Sequence, residues 1–501
     1  MKFHFLLFPL ALALHPVKDF RVKDLGTIIN HNNHKENVID SLPTQTKTVS
    51  TTSSLSSSAP TIELDNDVQM VFTDNTKSIY YLTSKIWDEH TNYNETFRLL
   101  LDTGSSISWV YNQSCESDAC KQTTISKFND FSRPLVIESN FGLSYSGQNV
   151  EGDLINGLSN DIIMEFDNFR ISNFSFGLAS TVPDLFNGFN VSGILGIPSS
   201  SDNINRNLIH QLNEKGDIDG QIFGLSLLST NQIIKYIDSS SDMIDLPSNY
   251  GGLMIFGSKA TNDLYKFTDN IYYTPLLEND DDYWLINLTN IETSNDTVTL
   301  KFNESDSRKT IIDTGTTGFV LPLYDADNLH TKLFGDDLIT DNKGNYAFPC
   351  DCQNQNITFT INDHDFEVNV NDFKGKEYTT TGLEGKCASM IQGLDSQYWV
   401  FGAAFLSKYY TVFDLEKSQI GFGDTRITSY VLKEPSNVSF YSSYSNTTTT
   451  SISSVSSMST TSSSSSLATS STSNTEDNSA TVNNVSGLSL IIYLLSCIII
   501  S

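Results

Sequence analysis

This sequence predicts an all-β fold of two similar lobes, related by a pseudo-twofold axis, with a cleft between them. Three observations carry that expectation. From about 61 to 433, short apolar runs rich in Ile, Val, Phe and Tyr alternate with Gly, Asn and Asp, the pattern of many short strands joined by turns. Within that body Leu99-Leu100-Leu101-Asp102-Thr103-Gly104-Ser105-Ser106 is echoed by Thr310-Ile311-Ile312-Asp313-Thr314-Gly315-Thr316-Thr317. Downstream, an apolar pair followed by glycine also recurs, as Ile194-Leu195-Gly196 and Val400-Phe401-Gly402, 94 and 89 residues after the respective Asp. Such a repeat marks two copies of one folding unit. Each half, about 61–245 and 246–433, is long enough to be a lobe of its own. One stretch departs from the strand pattern: Leu208 to Lys215 reads as a short helix stopped by Gly216.

The flanks of this body differ in composition. Residues 1–14 combine a Lys with the apolar run Phe5 to Leu14, which reads as a secretory signal peptide, too short to span a bilayer. Residues 15–60 are polar and end in the Ser/Thr run Thr48 to Ser58, as a prosegment or leader would. Residues 434–478 are dominated by Ser and Thr and cannot bury a core; they read as an O-glycosylated stalk. The tail, 479–501, ends in the apolar run Leu488 to Ile500, and no Lys or Arg follows Lys433. Small residues, a polar spacer and a short apolar tail are the signal for a GPI anchor, with Asn478 as the expected attachment site. The expected location is therefore outside the cell, at the plasma membrane or cell wall. Asn-x-Ser/Thr sequons at Asn94, Asn112, Asn173, Asn190, Asn287, Asn295, Asn303, Asn356, Asn437 and Asn446 suit a glycosylated surface protein.

Charge and cysteine usage narrow the class further. The 30 Lys and Arg stand against 59 Asp and Glu, a net charge of −29 that repels nucleic acid and anionic lipid and favours cationic or neutral partners. With Cys497 set aside in the tail, Cys115 and Cys120 can close a small loop, and Cys387 can pair with Cys350 or with Cys352. The Cys350-x-Cys352 spacing does not suit zinc, and no His is suitably grouped. His90, His210, His330 and His364 are scattered, and no Gly-x-Ser-x-Gly turn presents a serine nucleophile.

The repeated turns carry the chemistry. Apolar lead-ins place Asp102 and Asp313 at the ends of interior strands, Gly104 and Gly315 let the backbone turn beside each carboxylate, and Ser105 and Thr316 supply hydroxyls to orient them. Two carboxylates facing each other across a cleft cannot both ionise, so they share a proton. The ionised partner can then deprotonate a water while the protonated one donates to a carbonyl oxygen. This is hydrolysis by general acid–base catalysis, favoured at acidic pH, and it calls for no metal or cofactor.

These motifs resemble the pepsin-like aspartic peptidase family over about 61–430. Asp102-Thr103-Gly104-Ser105-Ser106 is followed by Trp109 and by Cys115-x4-Cys120 in the family's order. Tyr145 stands 43 residues after Asp102, at the family's flap tyrosine. The resemblance implies that Tyr145 closes over substrate and bonds Trp109. It implies too that Ser192 to Ile197 crosses beneath the first turn, that Thr314, Gly315 and Thr316 belong to the second, and that Tyr409 to Asp414 is a late strand of the second lobe. The signal peptide, stalk and anchor signal look most like the yapsins and candidapepsins of fungal cell surfaces. The function implied is a monomeric, secreted endopeptidase acting on polypeptides, with a yapsin-like cleavage beside Lys or Arg as the expected preference and a candidapepsin-like preference for bulky apolar residues as the alternative. The competing expectation is a catalytically silent surface binding protein built on the same body. Three departures stand out: Ser146-Gly147 at the flap tip, Ala403 after Gly402, and a short Cys115–Cys120 loop without the long acidic insertion of typical yapsins.

Overall fold

The computed structural model describes residues 59–435, apart from short stretches that include 75–78, 89–93, 122–124, 130–133, 146–147, 201–205, 229–231 and 302–307. The segments read as signal peptide, leader, stalk and anchor tail, Asn478 included, lie outside the described residues except for 59–60 and 434–435.

Asn94–Asp102 shows why the apolar lead-ins matter. Its first three residues are exposed, whereas Leu99, Leu100, Leu101 and Asp102 are buried. Gly193–Gly196 runs parallel beside it, pairing Gly193 with Leu99 and Gly196 with Asp102. A strand buried on both faces reads as continuous apolar sequence rather than an alternating one. In the second lobe Arg308–Ile312 is paired in parallel with Trp399–Phe401, so Ile312 lies opposite Phe401. The sequence repeat is thus one structural unit built twice, an acid strand with a parallel apolar-Gly strand at its side.

The sheets do not divide where the halves of the sequence do. One sheet of 15 strands carries the first lobe and continues through Tyr250–Phe256, which pairs with Val68–Thr73, and Ile222–Leu227, which pairs with Thr411–Asp414. The last strands of the body therefore return to the sheet of the first lobe, while the second acid strand lies in a sheet of eight. The apolar core is correspondingly continuous: Leu101, Ile312, Phe223, Trp284 and Phe413 belong to one buried cluster.

The helix expected at Leu208–Lys215 forms with those bounds. Asn207 caps it by accepting from His210 N, and Gly216 ends it at φ +80°, where a side chain would be strained. A longer helix, Leu323–Phe334, was not expected. Its signal is the spacing of Ala326, Leu329, His330, Leu333 and Phe334, all buried on one face. Cys115 is bonded to Cys120 and Cys350 to Cys387, which leaves Cys352 as a half-buried thiol. Closing the 37-residue loop between Cys350 and Cys387 contributes about 3–4 kcal/mol by loop entropy.

Candidate active site

Asp102 and Asp313 are both completely buried and meet where the two acid strands end. Gly104 N–H donates to Asp102 Oδ1 at 2.9 Å and the Ser105 hydroxyl to Oδ2 at 2.5 Å. The second turn repeats the pattern: Gly315 N–H donates to Asp313 Oδ1 at 2.7 Å and the Thr316 hydroxyl to Oδ2 at 2.5 Å. The glycines are required by space. A Cβ on Gly104 would lie 2.8 Å from the Asp313 carboxyl carbon, and one on Gly315 would lie 2.7 Å from Asp102 Oδ1. Each turn therefore presses its backbone against the acid of the other lobe.

Thr103 and Thr314 lock the two turns together. Thr103 N–H donates to Thr314 Oγ1 and Thr314 N–H to Thr103 Oγ1, both at 3.0 Å. Each hydroxyl then donates onward across the lobe boundary, Thr103 to the Ile312 carbonyl and Thr314 to the Leu101 carbonyl, both at 2.8 Å. Every member is buried, so the four bonds fix the spacing of the acids in a medium where an unmade bond is costly.

Burial raises the pKa of both acids above the usual carboxylate range. For Asp102 the Asp313 charge raises it further, opposed by the Ser105 and Gly104 bonds. For Asp313 the Thr316, Asp102 and Gly315 bonds oppose the burial. The two carboxyls act on each other directly, each shifting the other's titration. The pair therefore titrates as a unit that keeps one proton between its members.

Tyr145 ends the strand Ile137–Tyr145, whose hairpin partner is Gln148–Ile155. Its hydroxyl accepts from Trp109 Nε1 at 2.8 Å and lies 3.4 Å from Ser105 Oγ. Phe186 packs edge-on against both rings with centroids 5.4 Å away. Burial and the Asp102 charge hold the Tyr145 phenol protonated. An unbroken chain thus runs from Trp109 through Tyr145 and Ser105 to Asp102. The altered flap tip, Ser146-Gly147, lies outside the described residues. Ala403 opens a short helix and donates its N–H to the Thr316 carbonyl at 2.8 Å, a backbone role its side chain does not affect.

Above the first turn lies a cavity of ≈ 380 Å³ lined by Gly104, Ser105 and Ser106, by the hairpin residues Gly142, Leu143, Ser144 and Asn149, and by Asp280 to Tyr283 of the second lobe. Sequence reasoning named none of Asp280 to Tyr283. They belong to no repeat, and only tertiary packing brings them to the cleft.

Residues 91–425 match the family model described as eukaryotic aspartyl protease. The chain belongs to this family. Among curated relatives, it is 28% identical over 326 residues to a probable aspartic-type endopeptidase CTSD of Arthroderma benhamiae, covering 64% of this chain and 57% of that protein. It is 27% identical over 342 residues to vacuolar protease A of Arthroderma otae, covering 66% and 75% of the two chains. A major aspartyl peptidase 1 of Cryptococcus neoformans is 23% identical over 346 residues, 66% of each. The match thus spans little more than half the length of the first of these relatives.

Proposed function

We propose that this protein is an aspartic endopeptidase that hydrolyses peptide bonds at acidic pH through a water activated between Asp102 and Asp313. The observation that carries the reading is the pair itself: two buried acids, each oriented by its own glycine amide and hydroxyl, with each turn's glycine pressed against the acid of the other. The ionised carboxylate removes a proton from the water as it attacks the scissile carbonyl. The protonated partner donates to the carbonyl oxygen, and collapse of the tetrahedral intermediate returns a proton to the leaving amine. Thr103 and Thr314 hold the pair at its spacing, and Tyr145 with Trp109 anchors the hairpin that closes the cleft. The pair works while it holds one proton, so activity falls as pH rises through the upper titration of the dyad.

In this reading the substrates are polypeptides, favoured where they carry basic residues, and the enzyme is a secreted monomer tethered at the cell surface through Asn478. The names of the relatives and the two ends of the sequence support it. The test is acid-pH cleavage of a peptide mixture by the protein after its leader is removed. Asp102→Asn and Asp313→Asn are each expected to lose at least about 100-fold in kcat, the scale of general acid–base catalysis. A wild-type protein that cuts nothing between pH 3 and 6, or variants that match it, would overturn the reading.

A further inference from the structure

The cavity beside the dyad is acidic on one wall only. The hairpin wall contributes Gly142, Leu143, Ser144 and Asn149, none of them charged, while the opposite wall is the run Asp280-Asp281-Asp282-Tyr283. Among the described residues no Lys, Arg or His lines this space, and the run contributes three acidic residues to it. Their loop is firmly built. Asn279 accepts from Tyr283 N at 2.8 Å and donates to the Tyr283 and Leu277 carbonyls, and Ser199 donates its hydroxyl to the Asp282 and Tyr283 carbonyls. Asp282 sits at φ +61°, in the left-handed region.

Tyr283 supplies the second, independent observation. The residue as a whole is only 5% exposed, yet it lines the cavity, and its hydroxyl bonds to no described residue and is accessible rather than sealed in the core. Burial first, and then the charges of Asp281, Asp313 and Asp102, raise the pKa of the Tyr283 phenol. It follows the acidic run directly in sequence and lines the same cavity as Gly104 and Ser105 of the first catalytic turn.

Resting on the peptidase reading above, we propose that Asp281, flanked by Asp280 and Asp282, receives a Lys or Arg side chain of the bound polypeptide and sets the cleavage preference, with the Tyr283 hydroxyl bonding the substrate between that side chain and the dyad. Burial, then the charges of Asp280 and Asp282, raise the Asp281 pKa. A bound cation relieves that mutual repulsion, and a neutral side chain does not. An anionic side chain adds to it, so the same wall both selects and excludes.

The test uses peptides that differ at one position, Lys against norleucine against Glu, with that position moved along both sides of the scissile bond. At one position the Lys peptide is expected to be cut with a kcat/KM about tenfold or more above its norleucine counterpart, the Glu peptide being poorest. Asp281→Asn should bring the Lys-to-norleucine ratio most of the way to unity, and Asp281→Lys should make Glu the better side chain. The triple change D280N, D281N and D282N covers the case in which a neighbouring acid substitutes for Asp281. Binding of uncleavable reduced-amide peptides reads the same ratio without turnover. Lys-selective binding that Asp281→Asn abolishes, in a protein that cuts nothing, would overturn the peptidase reading and uphold this one. Cleavage or binding with no Lys preference, or a preference that survives the triple change, would overturn the assignment to this wall.

Discussion

Burial of Asp102 and Asp313 has a consequence for stability as well as for chemistry. Both folded-state pKa values lie above the ordinary carboxylate range, first because the groups are desolvated. The folded dyad therefore keeps a proton at pH values where the unfolded chain has released it. Stability from this source is present at low pH and is lost as pH rises through the raised titration. Asp102→Asn removes one of the two competing charges while keeping the volume and a hydrogen-bonding group. It is expected to raise the melting temperature at pH 7 and to make little difference at pH 3. Thermal scans at the two pH values check this, and equal shifts at both would contradict it. The residues in this argument were legible in the sequence because their signals are local: Ser105 and Thr316 stand three positions after their acids, and Trp109 and Tyr145 keep fixed spacings from Asp102. Tyr283 was not legible, since thirty residues of unrepeated sequence separate it from Asp313.

At the scale of elements, the two acid strands owe their mutual position to Thr103 and Thr314 more than to either sheet. Each hydroxyl accepts from the partner's amide and donates to a carbonyl on the partner strand. Thr314→Val keeps the shape and deletes both bonds of one hydroxyl, leaving the Thr103 amide and the Leu101 carbonyl buried without that partner. The expected cost is on the order of 3 kcal/mol in urea unfolding, one to a few kcal/mol per orphaned group, together with a lower kcat as the acids lose their spacing. Thr314→Ser retains the hydroxyl and should recover most of both losses. Failure of Ser to rescue would mean that the methyl packing, not the bonding, holds the turns. The repeat made the paired turns readable, but this cross-brace was not, because each of its bonds joins residues about 210 positions apart. The helix Leu323–Phe334 went unread for another reason: its apolar spacing stands beside strand-like runs, Phe319–Pro322 immediately before it, that set the local expectation.

For the whole molecule, two buried titrations oppose each other and bound the pH range in which the fold is secure. The many short strands and the doubled lobe could be read from the sequence, whereas the return of Thr411–Asp414 to Ile222–Leu227 could not, since pairing across that separation leaves no local mark. Into the second lobe, on Leu323–Phe334, that fold buries His330 completely. Its Nδ1 lies 2.8 Å from the Ala326 carbonyl, to which it donates; its Nε2 lies 2.8 Å from Ser389 Oγ, and its ring stacks on Tyr346. Burial lowers its pKa from 6.5 to about 4. Between those values the unfolded chain takes up a proton that the folded one refuses, so stability falls as pH drops from 6.5 to about 4 and then levels off. The sign is opposite to that of the dyad, whose contribution is lost as pH rises. Acid thus favours the proton-sharing state of Asp102 and Asp313 while it loosens the lobe that carries Asp313. His330→Gln keeps a donor and an acceptor at the site without the titration. Urea unfolding at pH 6.5 and pH 4 should show the wild type losing on the order of 3 kcal/mol more than the variant between the two, the equivalent of the full shift. If both proteins lose the same amount, acid sensitivity lies in the surface carboxylates that make up the net charge of −29, and His330 is silent.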